Sequence, residues 1–576
     1  MRTSVAISVA AVSILALMGC SDNTPQPSDI SFSEVPVPVT DAEKRSILAT
    51  PSVRVNGTAY PLRYHTILRS GDTVGGGTYG LLYDKNGGII TQDDGAPKIS
   101  NSNDFASLIP HGDALFMISH FETRPAAMYI TKLNQDKTSG ILTPLWTHPI
   151  NFSVFNGLWV PCAGSVTPWN THLGSEEYPP DAGSIDNNGS IDAYYAPMAD
   201  YVGGDLKQLN PYDYGWTPEV KVINDKGDVT VYKHYTLGRF AHELAYVMPD
   251  EKTVYLSDDG TNGIFYKFVA DTAKELSSGT LYAAKWTQTS SENGGVATIT
   301  WISLGHATNA EIKTALDATV TFDDMFHRVP RQEDNRCPEG FSPSNWSYKN
   351  ECLQVKEGMQ TLASRLESGR YAAIKGATTE FSKMEGITYN PQEHEMYLAM
   401  SRIEKGMEDN AYKGERETTY DHGGSNDIRL PWNQCGTVYK MALENYNITT
   451  IDALLSGEIM EADTSGNTCK LDTISMPDNL TFIPNTNTLI IGEDTSYHQN
   501  DMIWAYNITH KKLTRILTTP YGSETTSPYY YPNINGFGYL MSVVQHPFGE
   551  SDQDQVQNPD EKRAYTGYIG PFPVIK

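Results

Sequence analysis

Short apolar runs bounded by turn residues recur along this chain, and four pairs of them share one spacing. His242-Glu243-Leu244-Ala245-Tyr246-Val247-Met248-Pro249 is followed by Val254-Tyr255-Leu256, so Pro249 and Tyr255 lie six and twelve residues after Glu243. From Glu385 the same offsets reach Pro391 and Tyr397, from Asp478 they reach Pro484 and Ile490, and from Asp104 they reach Pro110 and Phe116. Two looser copies complete the set. Cys162 has Pro168 six residues on, with an early return strand near 171–174; Thr526 has Pro532 six on, followed by an apolar run over 539–544, and there Glu524 takes the acidic role. The pattern predicts a strand, a Pro-marked turn and an antiparallel return strand in each unit. The shortest interval, 526 − 478 = 48, matches one blade of a β-propeller. The longest, 385 − 243 = 142, holds an insertion at about 270–375 with helical stretches over 309–316 and 353–366. The fold expected over 51–576 is therefore all-β: a six-bladed β-propeller with loop and helical insertions.

In a propeller, equivalent positions on successive blades are related by rotation about the central channel. The leading residues Asp104, Cys162, Glu243, Glu385, Asp478 and Thr526 (with Glu524) are thus expected to ring that channel. Four carboxylates and a thiol facing one space repel each other unless cations neutralise them. Carboxylate oxygens suit calcium, magnesium or ferric iron, and a thiolate favours a transition metal. The plain alternative is that each acid caps a strand end or sits in water.

The start of the chain reads as an address. Met1-Arg2 is followed by an apolar stretch from Val5 to Met18 that ends Leu17-Met18-Gly19-Cys20. This is the pattern of a bacterial lipoprotein signal over 1–19, with Cys20 as the lipidated N-terminus and 20–50 as its tether. A plain secretory signal keeps the export and drops the lipid. Ser21 after Cys20 leans towards the outer membrane of a Gram-negative bacterium, on its periplasmic or surface side. No other apolar run approaches the ~20 residues of a spanning helix, so any membrane contact is by the lipid alone. In the oxidising compartment so reached, Cys337 with Cys352 and Cys435 with Cys469 are the economical disulfides of six cysteines, other pairings remaining open. Cys162 is then left over, either buried and inert or a metal ligand.

Charge narrows the partners. Lys and Arg number 43 against 69 Asp and Glu, a net charge of −26, which argues against nucleic acid and anionic membrane surfaces. Aromatic residues at 10% argue against disorder. Ser257-Asp258-Asp259-Gly260 is an acidic turn that suits calcium or an Asx turn equally. Asp186-Asn187-Asn188-Gly189 lacks the spaced acids of an EF-hand and reads as a loop. His242 alternates away from Glu243 and reads as structural.

The segments that carry the repeat resemble the PhoX-type alkaline phosphatases. The fullest match is Cys162-Ala163-Gly164-Ser165-Val166-Thr167-Pro168-Trp169-Asn170-Thr171, continuing to Glu176-Glu177. Others are Gly238-Arg239-Phe240-Ala241-His242-Glu243, Glu385-Gly386-Ile387, Pro477-Asp478-Asn479-Leu480 and Val544-Gln545-His546-Pro547, so the likeness extends from about 60 to 550. It implies a six-bladed propeller and a secreted phosphomonoesterase with ferric iron and calcium in the channel, acting on small phosphomonoesters. By resemblance Cys162, Glu243, Glu385 and Asp478 fall on metal-ligand positions, with Glu177 and then Glu176 beside them. Three departures stand out. Lys383 occupies the place of a usual Arg, and is expected to contact substrate. Ser119-His120-Phe121 precedes Glu122 where the family tends to show Asn-His-Glu. Asn170 replaces a Gly. The expected activity is release of phosphate from phosphate monoesters by a monomeric, lipid-anchored protein. The rival readings are a non-catalytic calcium-binding propeller and a calcium-dependent lactonase or esterase.

Overall fold

The computed structural model describes residues 27–184 and 194–576. The signal segment, Cys20 and the loop at Asp186-Asn187-Asn188-Gly189 lie outside the described residues. Six short strands carry or directly follow the leading residues: β1 (Ala106–His111), β2 (Ser165–Val166), β3 (His242–Val247), β4 (Met384–Asn390), β5 (Pro477–Ile483) and β6 (Tyr529–Ile534). Each begins a four-stranded antiparallel meander, and each touches the next, with β6 returning to β1. The meander of β6 takes its fourth strand, Arg63–Arg69, from the other end of the chain. The ring is thus closed by pairing early residues with late ones. The architecture is an all-β propeller, as the spacing predicts.

Alternation along the strands builds the core. In the strand Thr488–Glu493 every residue is buried. Ile490 packs with Ile503, Tyr530 and Leu540 on one face, whereas Leu489 and Ile491 pack with Tyr397, Val438 and Trp504 on the other. Successive side chains point to opposite faces, so one apolar run fills the seams to two neighbouring blades. The same reason makes the strands read as nearly continuous apolar runs rather than half-polar ones.

Three boundaries differ from expectation. The tether does not extend to residue 50. Ile30–Phe32 pairs with Ser52–Val55, Leu48–Ala49 adds to the meander of β5, and the Val35 amide donates to the Arg515 carbonyl. Apolar residues here, with Ile30 and Val35 both buried, dock the segment onto the blades. The insertion also starts later than 270. Glu275–Ser290 is the fourth strand of the β3 meander, and it pairs with Val296–Thr308, which crosses to the β4 meander at Val296–Thr298. Helix forms at Asn309–Asp317, but 353–359 is not helical: Glu351–Val355 is a strand and the helix expected there begins only at Gln360. Lone apolar pairs cannot distinguish a strand from a helix over so short a run. Cys337 is joined to Cys352 and Cys435 to Cys469, and Cys162 is a free, buried thiol.

Candidate metal and phosphate site

Three of the inner strands share one distortion. In β3 the pairing jumps from His242–Asp258 to Ala245–Leu256, in β4 from Met384–Met400 to Ile387–Leu398, and in β5 from Pro477–Glu493 to Leu480–Ile491. Each time three steps on the inner strand face two on its partner. This β-bulge swallows Glu243-Leu244, Glu385-Gly386 or Asp478-Asn479 respectively. A bulge re-aims a side chain at the sheet edge, and here it turns one acid per blade into a common space.

The result is a chain of overlapping groups. Ligand atoms of Asp104, Glu122 and Cys162 lie within 4.8 Å of one another, as do those of Cys162, Glu177 and Glu243, and those of Glu243, Glu385 and Asp478. Cys162 and Glu243 each belong to two groups and so link the whole. The Cys162 thiol donates to Glu243 Oε2 at 2.9 Å and lies 3.7 Å from Asp104 Oδ2. Asn479 donates to Glu243 Oε1 at 3.1 Å and to Asp478 Oδ1 at 2.6 Å, and Ser527 donates to Asp104 Oδ1 at 3.0 Å.

Electrostatics show what such packing demands. Burial and then neighbouring acids push Asp104, Glu243 and Glu385 well above the usual carboxylate range, and Asp478 to about 8. Burial raises Glu122 to about 7. Burial, with Asp104 and Glu243, likewise raises the Cys162 thiol. Glu177 Oε1, Asp259 Oδ1, Glu385 Oε1 and Asp478 Oδ2 are buried without a hydrogen-bond partner. Orphaned acceptors are costly unless something satisfies them. Cations do so, and a donor set of several carboxylates and one thiol fits both hard and softer metal ions.

Lys383 supplies positive charge beside these acids. It precedes β4 with a left-handed φ of 57°, and its Nζ lies 2.5 Å from Asp259 Oδ2, 3.6 Å from Glu385 Oε1 and 3.1 Å from the Tyr178 hydroxyl. Burial alone would raise Asp259, but the Lys383 charge together with bonds from Glu177, Lys383 and Tyr178 outweighs it and holds the acid below its ordinary value.

Two expected ligands stand apart. Glu176 is spent on the fold: Oε1 accepts from Lys233 Nζ at 2.8 Å and the Trp159 amide at 3.0 Å, and Oε2 from the Gly215 and Trp216 amides at 3.1 Å. Its neighbour Glu177, on the other side of the chain, reaches the cluster. Glu524 pairs with His546 at 2.8 Å and groups with Glu550 rather than with the central acids. Thr526 donates to the Asp104 carbonyl at 2.9 Å. His242 donates to the Gly238 carbonyl at 2.9 Å, away from the cluster.

Asp494 and Tyr178 are not singled out by any sequence motif, whereas Glu122 enters the sequence reading only as an acid beside Ser119-His120-Phe121 and Asp259 only as part of an acidic turn. Asp494 adds its charge against Asp478 and Glu524. A signal existed: 259 − 243 = 16 and 494 − 478 = 16, so a second acid repeats at the end of the return strand. Asp258, in the same acidic turn, makes the Asx turn instead, accepting from the Gly260 amide at 3.2 Å.

The Thr-Pro-Trp-Asn-Thr segment is a tight turn. Asn170 has a φ of 62°, a conformation in which Gly is favoured and Asn tolerated, and its side chain donates to the Pro110 carbonyl at 2.7 Å. Trp169 and Thr171 both donate to Glu219 Oε1, at 2.9 and 2.5 Å, tying the turn to the third strand of its meander.

The family model described as alkaline phosphatase PhoX matches residues 147–547. Among solved structures, Pseudomonas fluorescens PhoX in complex with vanadate, a transition state analogue, aligns with a TM-score of 0.61 and 16% identity, covering 94% of this chain and 98% of that one. At that identity the likeness shows the fold. Pseudomonas aeruginosa periplasmic gluconolactonase PpgL aligns with a TM-score of only 0.30 at 10% identity, over 80% of this chain and 97% of that one, too distant to bear on function. No curated protein matches this chain by sequence.

Proposed function

Because this chain belongs to the PhoX family of alkaline phosphatases, we propose that the clustered acids and Cys162 hold ferric iron and calcium, and that Lys383 binds the phosphoryl group of the substrate. The chain is a phosphomonoesterase of a metal-dependent family. The observation that carries the metal reading is the chain of overlapping acid groups linked through Cys162 and Glu243, in which Glu177, Glu385 and Asp478 each keep a buried oxygen without a hydrogen-bond partner. Cys162 with Glu243, Glu385 and Asp478 would take the iron, and Asp104, Glu122, Glu177 and Asp259 offer oxygens to calcium. Bound there, the ions would neutralise charge that develops on the phosphoryl group and activate an oxygen nucleophile.

The chain's own groups do the rest. Lys383 is held by Asp259 and Glu385 but keeps 23% of its side chain exposed, so an arriving phosphate oxygen reaches its ammonium. Asn479 fixes the orientation of Glu243 and Asp478, and Ser527 that of Asp104. The six-bladed scaffold holds these groups rigidly, since blade cores rather than the channel bury the apolar side chains.

We further read the protein as an exported, monomeric lipoprotein anchored at the outer membrane through Cys20. No helix among the described residues is long and apolar enough to cross a membrane. The test of function is phosphate release from a chromogenic phosphomonoester by the purified, metal-replete chain. Lys383→Ala is expected to lower kcat/KM at least tenfold with metal content nearly normal. Unchanged kinetics would remove Lys383 from the site, and no release by the wild type would overturn the function.

A further inference from the structure

We infer that Tyr178 is a second phosphoryl-binding residue, its hydroxyl forming with the Lys383 ammonium a two-donor clamp on the substrate anion. The inference rests on the phosphatase reading above and adds a residue to it.

Tyr178 directly follows Glu177 in the chain, and its hydroxyl meets two other members of the site. It donates to Asp259 Oδ2 and accepts from Lys383 Nζ at 3.1 Å. The same ammonium lies 5.8 Å from the Tyr178 ring centroid, so the lysine runs beside the ring to its polar tip. Both side chains keep contact with solvent. Tyr178 is 38% exposed, in a neighbourhood where Glu177, Asp259 and Glu385 are almost fully buried.

The backbone is held in place for this purpose. Tyr178 has a φ of 42°, a left-handed conformation uncommon for a large side chain. Its carbonyl accepts from Trp159 Nε1 and from the Tyr194 hydroxyl, both at 2.9 Å. Two donors on one carbonyl fix the peptide plane and let the strained conformation persist. An exposed tyrosine needs no such restraint for packing alone.

Charge explains what the pair is for. Ionised acids donate nothing, and the fully ionised phosphoryl group of a phosphomonoester presents only acceptor oxygens to a protein. Lys383 is a point charge with rotating donors and by itself does not set the plane of an anion. A second donor 3.1 Å away supplies that direction, much as paired donors do in bidentate recognition. Turning the hydroxyl proton about the C–O bond redirects it from Asp259 to an incoming oxygen without moving a heavy atom. Asp259 then retains the ammonium, so neither partner is left unpaired.

The test uses the full chain loaded with metal. Inorganic phosphate is titrated by calorimetry into the wild type, Tyr178→Phe, Lys383→Ala and the double variant, with KM, kcat, metal content and melting temperature measured alongside. Tyr178→Phe is expected to weaken phosphate binding and raise KM about tenfold, with metal content and melting unchanged. In the Lys383→Ala background it should still weaken phosphate about threefold, because the hydroxyl touches the anion itself. Phosphate binding within twofold of wild type would overturn the inference and leave the phosphatase reading intact. An effect confined to the Lys383 background would also overturn it, since Tyr178 would then act only by positioning Lys383. A wild type that neither binds phosphate nor hydrolyses a phosphomonoester would sink both.

Discussion

The sulfur of Cys162 lies 2.9 Å from Glu243 Oε2, although 243 − 162 = 81 residues separate them in the chain. Two blades must close on one channel to bring them together. Cys162→Ser replaces a soft donor with a hydroxyl that ionises poorly. We expect elemental analysis to show loss of the transition metal with more of the calcium retained, and turnover to fall at least a hundredfold. Normal iron content in the variant would exclude the thiol as a ligand.

Glu176 and Glu177 are adjacent yet do different work. Glu176 forms a fully buried pair with Lys233, and breaking such a pair costs about 3–5 kcal/mol. Glu176→Gln should therefore lower the melting temperature of the metal-free protein strongly. Glu177→Gln should leave that temperature unchanged or raised, and lower metal content. Thermal melts of the two apo variants compare them directly; equal melting would refute the division.

Gly386 sits inside the bulge of β4. An added Cβ would meet Asn479 Cα at 2.6 Å and the Leu480 amide at 2.7 Å, both backbone atoms that cannot rotate away. Overpacking of this kind costs about 1–3 kcal/mol. Gly386→Ala should push β4 from β5, part Glu385 from Asp478 and weaken metal binding. Metal titration followed by calorimetry checks it, and unaltered affinity would show that the strands yield without moving the acids.

Glu219, which belongs to none of the acid groups, gives a pH signature of its own. Burial would raise it, but a 2.6 Å pair with His234 and bonds from Thr171 and Trp169 outweigh burial and bring it down to about 2. A depressed carboxylate stabilises the fold above its unfolded value and loses that contribution as pH falls towards its folded value. From its ordinary 4.5 to about 2 the loss is on the order of 3 kcal/mol. Glu219→Gln should flatten this acid limb, so the stability gap to the wild type narrows between pH about 5 and about 2. Denaturant melts across that range measure it; a constant gap would refute the linkage.

Much of the propeller was legible because blades repeat. Offsets of six and twelve from Glu243, Glu385 and Asp478 mark a strand, its turn and its return, whatever residues fill them. The bulges were not legible, since an extra residue in one strand leaves no composition signal; only the pairing of Ala245 with Leu256 and its equivalents reveals it. Glu176 misled because two adjacent acids look alike in sequence, and only Lys233 and three backbone amides, distant in the chain, decide which one is structural. Glu524 misled for a similar reason: His546 competes for it. Residues 28–50 looked polar enough for a tether, yet a few apolar side chains suffice to dock a strand on an existing sheet edge.

If Cys162 and the ring of acids hold the metal through which this chain hydrolyses phosphomonoesters, removing that metal must stop phosphate release. The most direct measurement follows phosphate release and bound metal together, as the purified protein is stripped by chelation and then reloaded with iron and calcium. Activity should fall with the metal and return only when both ions are restored, while the stripped protein remains folded. Phosphate release that persists at full rate in protein shown to be metal-free would contradict the account.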